Sequence, residues 1–143
     1  MTTTITPSQY HPTLGSLTVG DAMHHGVVTC RRDLSLRGIA RVMAGHRVHC
    51  VIVTDDENGR DIVWGVVSDL DLVAAAYARD LEDQTADGSA ATPVVLVSPG
   101  ESLERAAQLM TENAVSHLVV VDPVTGRPIG VLSTLDLAEA LSA

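Results

Sequence analysis

A mixed α/β (α+β) fold, made of two tandem β-α-β-β-α units packed sheet to sheet, is predicted by three observations. The octapeptide GVVSDLDL at 65–72 returns as GVLSTLDL at 130–137, with six of eight positions identical. The stretch VVTCRRDLSLRGIARVM at 27–43 runs in register with VVLVSPGESLERAAQLM at 94–110, 67 residues further on. Between these matches stand two dense apolar runs, VHCVIVTDD at 48–56 and VSHLVVVD at 115–122, each leading into a Gly-containing turn. A whole structural unit is written twice.

Residues 1–16 are rich in Thr, Pro and Ser, have no hydrophobic periodicity, and are read as a mobile N-terminal tail. Unit 1 spans 17–81 and opens with LTVGDAMHHG, a short helical pattern whose end, His24-His25, is expected in solvent. Nothing similar is evident before the second copy. The Val27-Val28 strand follows, and then Leu36, Ile39, Ala40 and Met43 fall at i, i+3, i+4 and i+7, the apolar stripe of a helix. Asp33 is the start signal of that helix, and Ser98 three before Glu101 is the signal in the second copy. The apolar run at 48–56 reads as a buried strand. Asn58-Gly59 is a hairpin signal leading to the strand IVWGVV, and GVVSDLDL carries the chain from strand to closing helix.

Residues 82–92, small, polar and acidic, read as a linker, and unit 2 spans 93–143. It repeats the plan: Leu103, Ala106, Ala107 and Met110 restate the stripe, and a turn at Thr125-Gly126 leads to PIGVL. The offset falls from 67 to 65 after this second hairpin, whose loop is two residues shorter. A unit of about 55 residues is marginal alone, so two copies sharing one core explain the duplication.

Composition bounds the function. The chain has 143 residues, 45% of them apolar but 2% aromatic with no Phe, so its core is aliphatic. Nine basic residues, all Arg, against 18 acidic ones give −9, which opposes binding to nucleic acid or anionic lipid. Cys30 and Cys50 lie in apolar surroundings and read as buried free thiols of a reducing compartment. No signal peptide is visible and no apolar run nears the roughly 18 residues of a bilayer span, so a cytoplasmic protein is expected.

Catalytic and metal readings find little support. There is no G-x-S-x-G elbow, and the chain has no lysine for a Walker motif. His46, His49 and Cys50 cross from helix end to strand, where they need not converge on a metal. Arg31, Arg32 and Arg47 read as solvated charges, and as the nearest positive charge for a polyphosphate at the first unit.

Together, TVGDAM before the first strand, the stripes ending at Met43 and Met110, VSHLVVVD and the paired octapeptides resemble the CBS domain (Bateman module) family over residues 17 to 142. The resemblance implies pseudo-twofold symmetry, ligand clefts between the units and a homodimer. It also implies a regulatory, non-catalytic role toward an effector protein that the sequence does not name. The ligands it implies contain adenosine: AMP, ADP, ATP or S-adenosylmethionine. No cofactor or metal is required.

The resemblance assigns ribose binding to Asp71 and Asp136, and phosphate contact to Ser68, Ser133 and Thr134. The chemistry is compatible. Helix-start N–H groups favour anions, Ser adds a donor, and an ionised Asp can accept both hydroxyls of a diol. Val28, Thr29, Val48 and His49 are the adenine-pocket candidates of the first unit, with Val95, Val115 and Ser116 in the second. Ser-x-x-Asp is equally a capping-box variant that satisfies its own helix, and both readings stand. Asp69 places a second carboxylate where a phosphate would lie in the first copy, and Thr134 replaces it with a hydroxyl. The second copy is therefore expected to take phosphate better. The alternative function is a dimerisation module with degenerate, empty clefts.

Overall fold

The computed structural model describes residues 12–90 and 94–142. They form two compact bodies, one from residues 27–90, 94 and 126–128, the other from 12–26, 95–125 and 129–142.

The first body holds β2 (Thr29–Arg31), α3 (Leu36–His46), β3 (Cys50–Glu57), β4 (Arg60–Ser68), α4 (Asp69–Ala78), a 3-10 turn at Leu81–Asp83 and α5 (Ala86–Ser89). The sheet order is β2-β3-β4, with β2 parallel and β4 antiparallel to β3. Asn58 and Gly59, at φ 53° and 77°, make the tight hairpin turn that the Asn-Gly pair predicts. Val51, Ile52, Val53 and Thr54 are all buried, as a continuous apolar strand run requires. Leu36, Ile39 and Met43 of the helical stripe pack with Cys30, Val51, Val53, Val67 and Ala86.

The second body holds α1 (Pro12–Ser16), α2 (Val19–Ala22), β1 (His24–His25), β5 (Leu96–Val97), α6 (Leu103–Asn113), β6 (His117–Val121), β7 (Pro128–Ser133) and α7 (Thr134–Ser142). The sheet order is β1-β7-β6-β5. Leu103, Ala106 and Met110 join Val97, Leu118, Val120 and Leu132 in the core. The loop before β7 is built differently from the first hairpin. Asp122 accepts the N–H groups of Thr125 and Val124, which hold its carboxyl below the usual range.

Both repeats therefore show the predicted β-α-β-β-α order, and four expectations are corrected. The expected tail over 1–16 lies outside the described residues up to 11, but 12–16 are helical and Leu14 is buried in the core. The helix caps are Ser35 and Ser102, whose hydroxyls accept from Gly38 and Arg105, rather than Asp33 and Ser98. His24-His25 is an edge strand paired with Val131 and Gly130, not a helix end. Of the expected linker over 82–92, residues 91 and 92 lie outside the described residues, and 82–90 are no plain connecting loop, because Ala86 of α5 is fully buried.

The fourth correction extends the duplication. Val19, Gly20 and Leu103 donate N–H bonds to Glu101, Pro99 and Leu17 in the second body. Ala86, Asp87 and Leu36 donate to Leu34, Arg32 and Gln84 in the first, at the same offset of 67 throughout. Residues 17–22 thus return as 84–89, and each copy seals the strand-to-helix loop of the other repeat. Thr alone is shared between TVGD and TADG, so sequence matching had little to register.

Candidate functional site

In each body the site candidates gather at one end of the sheet. Cys50 at the start of β3 is in register with Ser68 at the end of β4, and Ile52 N–H donates to Val28 O. The residues flanking β2, β3 and β4 thereby face one sheet end, across about 10 Å for two strand spacings. The second body matches: Val119 donates to Val95 O, and Thr134 N–H donates to Ser116 O at 3.0 Å as Asp69 N–H does to His49 O at 2.8 Å. Val28, Val48, Val95 and Val115 are half-buried there, while Thr29, His49, Ser116 and Thr134 are exposed.

At that end both Ser-x-x-Asp pairs close a capping box. Ser68 N–H donates to Asp71 Oδ2 at 2.9 Å and Asp71 N–H to Ser68 Oγ at 3.1 Å. The corresponding distances for Ser133 and Asp136 are 2.8 and 3.2 Å. Hydroxyl and carboxylate are thus committed to satisfying the first N–H groups of α4 and α7. Each Ser hydroxyl accepts one of these N–H groups and keeps its own O–H to donate, so a phosphate can be met there with the cap in place. A ribose diol needs only carboxylate lone pairs that remain open, since each oxygen has more than one.

The two sites differ in charge and burial. Asp69 Oδ1 accepts Leu70 N–H and its Oδ2 stands 3.0 Å from His49 Nδ1, so a carboxylate does cover the first helix start. Asp71 is half-buried, whereas Asp136 is buried and its Oδ1 has no hydrogen-bond partner among the described residues. His24 Nδ1 lies 2.8 Å from that oxygen without the alignment of a hydrogen bond. Sequence reasoning missed His24, which stands 112 positions from Asp136 and carries no pattern linking the two.

Arg32 is not a solvated charge. Its guanidinium lies 3.0 Å from Asp55 and 3.8 Å from Asp87, and stacks 4.4 Å from the Trp64 ring centroid. This leaves it poorly placed to serve a polyphosphate. Arg31 and Arg47 are exposed, and Arg47 takes the left-handed conformation ending α3. Cys30 and Cys50 are free thiols pushed up to about 11, mainly by burial, with Asp33 and Asp69 adding charge repulsion. Among the described residues no helix is long and apolar enough to cross a membrane.

Two sheets, each with a β-α-β-β-α repeat ending in a self-capped Ser-x-x-Asp helix start, define a tandem repeat module. The CBS domain model matches residues 19–78 and 90–143, and the chain belongs to the CBS domain family, which is generally regulatory and non-catalytic. It is 32% identical over 110 residues to a homoserine O-acetyltransferase of Methanosalsum zhilinae, covering 76% of this chain and 21% of that protein. The chain thus spans about a fifth of that enzyme's length. It is 27% identical to the CBS domain-containing protein YhcV of Bacillus subtilis, covering 84% of this chain and 82% of that one. Among solved structures, it resembles the CBS domain pair of protein MJ0100 in complex with 5-methylthioadenosine and S-adenosyl-L-methionine. The TM-score is 0.73 at 20% identity, covering 85% of this chain and 97% of that one.

Proposed function

We propose that this chain is a cytoplasmic, non-catalytic regulatory module that binds an adenosine-containing ligand and alters the state of a partner protein. The observation that carries the reading is the Ser-x-x-Asp helix start repeated at the same sheet end of each body, with a carboxylate beside half-buried valines. Asp71 and Asp136 take the ribose hydroxyls; Val28, Val48, Val95 and Val115 offer apolar contact to the base, with Thr29, His49 and Ser116 at its edge. Phosphate contact through Ser68, Ser133 and Thr134 uses hydroxyl donors that the caps leave free, opposed in the first repeat by the Asp69 carboxylate. A structural neighbour crystallised with 5-methylthioadenosine and S-adenosyl-L-methionine supports this ligand class. Two unpaired, high-pKa thiols fit a reducing compartment.

A homodimer belongs to the same reading. Helix α4 buries none of its residues, and leaves Leu70, Val73 and Tyr77 at 73%, 65% and 95% exposure on one stripe. Such a stripe marks an association surface. It also sustains the second reading, an assembly module whose sites stay empty, because both Ser–Asp pairs already close their own capping boxes. Calorimetry with AMP, ATP, S-adenosylmethionine and NAD separates the two. Saturable binding of at least one, weakened more by Asp136→Ala than by Asp71→Ala, is expected. No heat at millimolar ligand sinks the sensing reading for these compounds and leaves assembly.

A further inference from the structure

His24 and Asp136 are an unequal pair. The His24 side chain is 73% exposed on the edge strand β1, and that of Asp136 is 1% exposed at the start of α7. Asp136 Oδ2 accepts the Ser133 N–H, while Oδ1 is buried with no hydrogen-bond partner among the described residues. A buried carboxylate oxygen in that condition has lost water without a full replacement, which is uncommon and needs a reason. His24 Nδ1, 2.8 Å away, stands against that oxygen. The sequence does not repeat this imidazole, since the position 67 residues after His24 is Ala91. The backbone beneath His24 is held firmly: a Cβ on Gly130 would lie 2.5 Å from His24 O. The ring, by contrast, is exposed and can turn about its own side-chain bonds.

We infer that His24 is a cover on the second-repeat site. Its imidazole stands over the Asp136 oxygen that a ligand hydroxyl would use, and it must turn away before a diol can donate there. This rests on the reading of Asp136 as a ligand carboxylate. The cover makes the two sites unequal by the strength of one contact between an exposed imidazole and a buried carboxylate. It reverses part of the advantage that the absence of an Asp69 counterpart lends to the second site. It also favours ligands whose hydroxyls can displace an imidazole, which a ribose with both hydroxyls does better than a deoxyribose.

The test uses the full chain carrying Asp71→Ala, so that the second repeat dominates, titrated by calorimetry with AMP and with S-adenosylmethionine. Adding His24→Ala is expected to tighten binding by up to about fivefold, the factor equivalent to about 1 kcal/mol. His24→Asn, whose amide nitrogen takes the place of Nδ1, should bind within about twofold of the parent. The His24 ring nitrogens should shift in ¹⁵N spectra on ligand addition. Equal or weaker binding by His24→Ala, when the parent binds, overturns the cover and leaves the proposed function standing. If neither ligand binds any variant, the proposed function fails and the cover with it.

Discussion

Replacing Asp136 by Ala measures what the second capping box contributes when its carboxylate is buried. The Ser133 N–H···Oδ2 bond at 2.8 Å is charge-assisted, a type that contributes about 1.5–3 kcal/mol. The negative charge beside the α7 start adds about 0.3–1 kcal/mol through the helix dipole. Against this, removing a carboxylate whose Oδ1 lacks a hydrogen bond relieves a penalty of about 1 kcal/mol or more. The net expectation is a loss of about 2 kcal/mol. Asp71 makes the same bond at 2.9 Å but is half-buried, so solvent screens it and Asp71→Ala should cost about 1 kcal/mol, an ordinary cap. For a chain of this size each kcal/mol moves the melting temperature by about 4 °C, giving drops of about 8 °C and 4 °C. Thermal melts followed by circular dichroism read both. Asp136→Asn, which keeps an oxygen for the Ser133 N–H, should fall between the parent and Asp136→Ala. A neutral Asp136→Ala, or a larger loss at Asp71, would refute the reasoning, because the orphaned oxygen would then cost as much as the cap contributes.

Four further outcomes are expected. Gly130→Ala places a Cβ 2.5 Å from His24 O, so β1 must move off β7; a loss of about 1–3 kcal/mol and faster exchange of the Gly26 amide bonded to Ile129 O should follow, and an unchanged melt contradicts this packing. Cys30 and Cys50, with thiols near 11, should react with iodoacetamide at pH 8 about 100-fold more slowly than a thiol of pKa 9. Because these values are raised on folding, their stabilisation is complete below about pH 9 and is lost as pH rises toward 11, which alkaline melts of the parent and of Cys50→Ser should resolve. Leu70→Glu with Val73→Glu should convert a dimer to monomer in light scattering without lowering the melt of the monomer; an unchanged mass removes α4 from the interface.

The repeat plan was readable because it rests on local periodicity. Leu36, Ile39 and Met43 occupy a 3.6-residue stripe, Asn58-Gly59 demands positive φ at both positions, and the buried strand at 51–54 is a plain apolar run. Asp33 and Ser98-Glu101 signal the helix starts a few residues early, since by residue type they are as good as the true caps. Only the loop geometry decides that Ser35 and Ser102 accept the N-terminal amides. At the candidate site, Ser68, Asp71, Ser133 and Asp136 stood out through repetition, and the capping geometry was legible from their spacing. What escaped was Arg32, whose partners Asp55, Trp64 and Asp87 lie up to 55 positions away from it, and the exchange of 17–22 with 84–89.

By itself the sequence determined two β-α-β-β-α repeats, an aliphatic core, an acidic surface and a pair of Ser-x-x-Asp helix starts. Each follows from residue spacing within one element or from counting. Tertiary structure alone decided which segment completes which repeat, since α2 and α5 bond through backbone amides to loops more than 40 residues away. It also decided that the two carboxylates are not equivalent. Asp71 and Asp136 share their local sequence, but burial and the approach of His24 come from strands distant in the chain, and a one-dimensional pattern holds no record of them.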